Sequence, residues 1–139
     1  MSDAYWRPCW GDNMAGYERV RDGLRADSRW FTHVDAAQLF KHAFALRTEV
    51  HHPSRNRRHR PILLYIYAEP ENWPTNGQGI DEHAKDRHRE EIAEFGGLVA
   101  NDEVLFASCS YRRLLGAWRE HPDGRIRAHA QAVTARFAP

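Results

Sequence analysis

The sequence predicts an α/β fold, a small and mostly parallel sheet with flanking helices. Three observations carry that reading. "ILLYIY" (62–67) is an unbroken apolar and aromatic run of strand length. "EVLFASCS" (103–110) is a second, shorter one. Between them "IDEHAKDRHREEIAEFGGLVA" (80–100) reads as a long charged helix with one apolar stripe. A strand, a long helix and a second strand make a βαβ unit, whose crossover is expected to be right-handed and its strands parallel.

The stripe of that helix is Ala84, His88, Ile92, Phe95 and Val99, at steps of three and four. Asp81 is its expected N-cap. Asp81 with Lys85 and Arg87 with Glu91 are i,i+4 pairs of opposite charge. Gly96-Gly97 is expected to weaken or end it. Upstream, Met14, Tyr17, Val20 or Arg21, and Leu24 predict a short helix over 13–25. Residues 33–49 predict a stronger one, capped by Asp35, with Val34, Leu39, Phe40, Phe44 and Leu46 on a broad apolar side. Downstream, Ser110 caps "YRRLLGAWRE". After the turn "HPDG", Ile126, Ala130, Val133 and Phe137 mark the last helix. The predicted order is helix, helix, strand, helix, strand, helix, helix.

The 139 residues suit one domain, assigned to 15–139, preceded by an aromatic arm over 1–14. Five Trp, five Tyr and six Phe require a core built largely around rings. A net charge of +1 is too small to indicate a nucleic-acid or membrane partner, so any such case rests on local charge. No segment approaches the roughly 20 apolar residues of a membrane span. "MSDAYWRPCWGD" lacks the pattern of a secretory signal, and Cys9 and Cys109 read as two separate thiols. The expected location is cytoplasmic.

The strand 62–67 is apolar at every position, which suits a central strand covered on both faces. Two strands do not make a stable sheet alone. A further strand from the N-terminal arm, a partner chain, or the loss of upstream strands would each resolve that conflict.

"YERVRDGLR", "VDAAQLFKHAFAL", "PILLYIYAEP", "HREEIAEFGGLVANDEVLFASCSYRRLLGAW" and "RAHAQAVTARF" resemble the C-terminal part of bacterial restriction-endonuclease-like proteins of the PD-(D/E)XK superfamily, over roughly 15–139. The resemblance implies a truncated restriction-endonuclease fold in which 35–46 follows the (D/E)-x-K strand and 62–70 is the strand after it. The tripeptide itself is missing. The only lysines are Lys41 and Lys85, preceded two positions earlier by Leu39 and His83. The resemblance therefore implies a nuclease-derived fold without its nuclease centre.

Glu69 ends the strand 62–67. It is either a carboxylate at the C-terminal end of a parallel strand, where α/β sites lie, or a residue that terminates the strand before Pro70. Strand termination is the preferred reading. Metal chemistry on phosphodiesters needs several convergent carboxylates, and only Asp81, Glu82, Asp102 and Glu103 are candidates to join it. Gln38 and His42, i,i+4 neighbours on the helix 33–49, are placed to face one cleft, and the resemblance implies a substrate-orienting Gln on this helix; with no acidic pair for a centre, a structural or surface role is the preferred reading. "VHHPSRNRRHR" (50–60) concentrates Arg55, Arg57, Arg58, Arg60 and His59 with His51 and His52. It suits a nucleic-acid backbone, an acidic protein surface, or solvent. Tyr5, Trp6 and Trp10 suit a protein interface. No metal site is expected, because His51-His52 and His83 with His88 have the wrong spacing for two ligands on one helical face. Ser108, Cys109 and Ser110 lack the surroundings of a nucleophile elbow.

The expected function is a non-catalytic binding protein contacting a protein or nucleoprotein partner, an inhibitor of phage or mobile-element origin being one form of it, with no cofactor. DNA or RNA at the 50–60 loop and a homodimer completing the sheet are compatible partners. The alternative is a metal-dependent nuclease, requiring Mg²⁺, with Glu69, Gln38 and His42 in a rebuilt site or one completed by a partner; Asp35 and Glu49 flank the helix that carries Gln38 and His42.

Overall fold

The order of elements along the chain follows the predicted alternation, with a short 3-10 helix, Asp3–Trp6, added in front. The computed structural model describes residues 3–6, 10–11, 13–52, 60–70, 79 and 81–137. The elements are α1 (Ala15–Ala26), α2 (Ala36–Val50), β1 (Ile62–Tyr67), α3 (Glu82–Leu98), β2 (Leu105–Ser110), α4 (Tyr111–Arg119) and α5 (Gly124–Phe137). β1 and β2 pair as a two-stranded parallel sheet. The Leu105 N–H donates to the Pro61 carbonyl at 2.9 Å where the pairing begins.

Chain contacts divide the molecule into two units, Met1–Leu64 with Arg87–Ala107, and Tyr65–Asp86 with Ser108–Pro139. The first holds a dense aromatic core. Phe95 is fully buried at its centre. It meets Tyr17, Phe31 and Phe106 edge-on at 6.0, 6.1 and 4.9 Å, the T-shaped geometry that ring quadrupoles favour. Phe40 and Phe44 of α2 are also fully buried. Trp10 stacks flat on Phe44 at 4.2 Å, so the aromatic arm is held to α2 by one of its own rings.

α1 starts without a capping side chain of its own, since its N-cap position is Met14. Asp102, 86 residues away, supplies the missing acceptors. Its two carboxylate oxygens take the Gly16 N–H at 3.0 Å and the Tyr17 N–H at 2.8 Å. This satisfies two of the donors every helix start leaves open. The approach is so close that a Cβ on Gly16 would lie 2.3 Å from the Leu98 carbonyl oxygen. Burial, helped by the Asp102 charge, pushes the Tyr17 phenol well above its ordinary range. It stays protonated and donates to the Val104 carbonyl at 3.1 Å.

α3 corrects the predicted charge pairs. Lys85 bonds Glu82 at 2.7 Å and not Asp81, whose carboxylate takes the His83 N–H as an N-cap. Arg87 bonds Glu90, also at 2.7 Å, and not Glu91. Glu91 is 3% exposed and turns inward. It accepts the backbone N–H groups of Thr32, His33 and Val34 at 2.8–3.0 Å and the Thr32 hydroxyl at 3.0 Å. Burial drives its carboxyl upward. The hydrogen bonds from Thr32, His33 and Val34 outweigh that and hold it at about 2. A local i,i+4 pair is worth a few tenths of a kcal/mol, whereas one buried and two part-buried N–H groups converge on this carboxylate, so the distant partners win. α3 also runs through Gly96-Gly97 to Leu98. Gly96 lies against the Phe106 ring, where a Cβ would come within 3.4 Å.

The expectation that β1 is covered on both faces is overturned. Ile62 is 57% exposed and Leu64 51%, while Leu63 between them is buried. Side chains alternate across a strand, and among the described residues the sheet has two strands, with Ile62 and Leu64 on its exposed side.

The second unit is built differently. Tyr65 and Tyr67, on one side of β1, stack at 5.8 Å. α4 and α5 pack against each other, and Ser110 caps α4 through the Arg113 N–H at 3.2 Å. Leu115 and Ala130 are its only buried residues among those described.

Candidate functional site

The segment from the end of α2 to the start of β1 carries the basic loop. Its two flanks are fixed to the turn at Asp102-Glu103. On the α2 side, His51 Nε2 lies 2.5 Å from Glu103 Oε1. Arg47 Nε lies 3.4 Å from the other oxygen, in ion-pair range but outside hydrogen-bond geometry. On the β1 side, Arg60 donates to the carbonyls of Asp102 at 3.2 Å and Glu103 at 3.4 Å. The turn is anchored in its own right, because the Glu103 N–H donates to the Asn13 carbonyl at 2.6 Å.

Electrostatically, Arg47, His51 and Arg60 converge on one carboxylate and two carbonyl oxygens. Carbonyls accept hydrogen bonds without cancelling charge, so the anchor keeps a cationic excess. Arg60 is exposed. The arrangement can therefore present positive charge from a fixed base. Arg55, Arg57, Arg58 and His59 lie outside the described residues.

The other candidates fall in different units. Gln38 and His42 are exposed on α2, in the first unit. Glu69 is half-buried just past β1, in the second. Of the acids considered as its company, Asp102 caps α1, Glu103 holds His51, and Asp81 and Glu82 bond within α3's first turn. Among the described residues no group of three His, Cys, Asp or Glu side chains is placed to hold a metal ion. Trp6 lies under the Arg25 guanidinium at 5.0 Å, and the Tyr5 carbonyl accepts from Arg21 at 3.4 Å. Tyr5, Trp6 and Trp10 are each half-buried. No helix among the described residues is long and apolar enough to cross a membrane.

Sequence reasoning missed Arg47 and the anchoring role of Glu103. The only trace is the acidic pair "DE" (102–103) ahead of the second strand, and its spacing carries no link to 47, 51 or 60. Comparison with protein-family models, with curated proteins and with solved structures finds no match. The likeness to the PD-(D/E)XK superfamily therefore rests on the quoted segments alone.

Proposed function

We propose that this chain is a non-catalytic binding protein that engages an anionic surface of a protein or nucleoprotein partner through the segment 47–60. The observation that supports it is the pinning of both flanks of an arginine-rich loop to one turn, by Arg47, His51 and Arg60. A loop tethered at both ends loses less conformational freedom on binding than a free one, which raises affinity for the same charges.

The test is salt-dependent retention on an immobilised polyanion, heparin, comparing the wild type with the triple variant Arg55→Ala, Arg57→Ala, Arg58→Ala. The variant is expected to elute at lower salt, with the log-log salt slope reduced by about 2 to 3. Identical elution would refute the proposal. A parallel incubation with supercoiled DNA and Mg²⁺ guards the non-catalytic half. Cleavage by the wild type that Glu69→Gln abolishes would replace this reading with a nuclease.

A further inference from the structure

The helical pair of the second unit holds charge that the chain's near-neutral total conceals. Residues 111–137 carry six arginines against Glu120 and Asp123, a net +4 in a chain whose total is +1. The remaining residues are therefore acidic on balance. Arg113 and Arg119 are exposed on α4. Arg127 spends its Nη1 on the carbonyls of His121 and Pro122, at 2.7 and 2.8 Å, which tightens the α4–α5 turn and leaves its charge uncompensated.

Apolar surface accompanies that charge. Leu114, Trp118, Ile126 and Val133 are only half-buried, and Tyr111 and Phe137 are 41% and 59% exposed. A cavity of about 500 Å³ opens at the α4–α5 turn, lined by Trp118, His121, Asp123, Arg125, Ile126 and His129. That volume lies in the range of small-ligand and anchor pockets. His121 Nδ1 accepts the Asp123 N–H at 3.1 Å, so its Nε2 is the nitrogen that carries a proton. The cavity thus has an indole and an aliphatic side chain in its wall and the His121 and His129 imidazoles beside them, while the Arg125 guanidinium at its edge is paired with Asp123 at 2.8 Å.

We infer that the α4–α5 pair is a docking surface for an acidic protein segment that seats an aromatic or large aliphatic side chain in the Trp118–Ile126 cavity. Charge complementarity selects the occupant. A second copy presenting the same surface brings +4 against +4, which like-charge repulsion disfavours. A nucleic-acid backbone would use the arginines and leave Leu114, Ile126 and Val133 without partners. An acidic segment with an apolar anchor satisfies both, and Trp and Arg are among the residue types enriched at interface hot spots. The inference uses no residue of the 47–60 segment and stands independently of the function proposed above.

The test presents the full chain to a phage library of random dodecapeptides and measures one enriched peptide by titration. Enriched sequences are expected to be rich in Asp and Glu with a Trp, Phe or Leu anchor. Binding should shift the Trp118 indole and Ile126 methyl resonances, and should weaken about tenfold or more in Arg113→Glu, Arg119→Glu. Both positions are exposed; Arg113→Gln, Arg119→Gln, with unchanged circular dichroism, checks that lost binding is not lost folding. No acidic enrichment, or affinity unchanged in the charge-reversed variant, would overturn the inference. So would a thymidine dodecamer that shifts the same resonances with equal affinity, or a dimer in sedimentation that the charge reversal dissolves.

Discussion

The two units of this chain solve the problem of burial in opposite ways. The first gathers Tyr17, Phe31, Phe40, Phe44 and Phe95 into one core, and lets two buried carboxylates, Asp102 and Glu91, satisfy backbone donors far away in sequence. The second buries Leu115 and Ala130 and leaves its larger side chains half in solvent. Stability concentrates where apolar contacts and satisfied buried polar groups coincide, and surfaces that meet partners come from the other end of that scale. The difference is that the first unit's core is made of rings closed off from solvent, whereas Trp118 and Tyr111 of the second keep part of their area in water.

Substitutions measure that contrast, and the largest effect belongs to Phe95→Ala. It removes the ring on which Tyr17, Phe31 and Phe106 converge, and is expected to cost about 3–5 kcal/mol in urea denaturation. A loss below about 1 kcal/mol would dissolve the distinction between the units. Glu91→Ala comes next. Leaving the N–H groups of Thr32, His33 and Val34 without their acceptor should cost about 3 kcal/mol. The same carboxylate sets an acid limit. Its folded-state value of about 2 lies below the ordinary 4.5, so its stabilisation is complete above pH 4.5 and disappears as pH falls toward 2. That loss amounts to about 3 kcal/mol, and a stability profile of Glu91→Gln should lack it. A wild-type profile flat between those pH values would contradict the assignment.

Glycines sharpen the comparison. Gly16→Ala forces a Cβ to within 2.3 Å of a carbonyl oxygen, and is expected to cost about 1–2 kcal/mol after its gain in helix propensity. In the second unit, Trp118→Ala should cost about 1 kcal/mol, because its ring is already half in water. Gly116→Ala, where nothing lies within 4 Å of the new methyl, should raise stability by about 0.5–1 kcal/mol. Thermal melts of the three variants check the sequence of signs, and a stabilised Gly16→Ala would mean that α1 and the turn after α3 are less tightly apposed than described.

The succession of elements was legible because it depends on local patterns. Steps of three and four marked the helices, and Asp35, Asp81 and Ser110 cap where their residue types predicted. The missed features are those whose partners lie far away. Glu91 reads as half of a surface pair until Thr32, His33 and Val34 are brought to it. ILLYIY reads as a central strand because a run of apolar residues records preference and not the number of neighbours actually present. Of the candidate site, the cationic loop was legible as composition. Its anchors were not, since nothing in the spacing of 47, 51, 60 and 103 shows that they meet.

The cap on α1 has a consequence for synthesis. Ribosomes add about 5–20 residues per second, so Asp102 follows Gly16 out by roughly 4 to 17 seconds across the 86 residues between them. During that interval the nascent helix begins with open donors and an uncovered Tyr17. The start of α1 is thus among the last parts of the first unit to be completed, and it waits for the turn that also fixes the flanks of the basic loop.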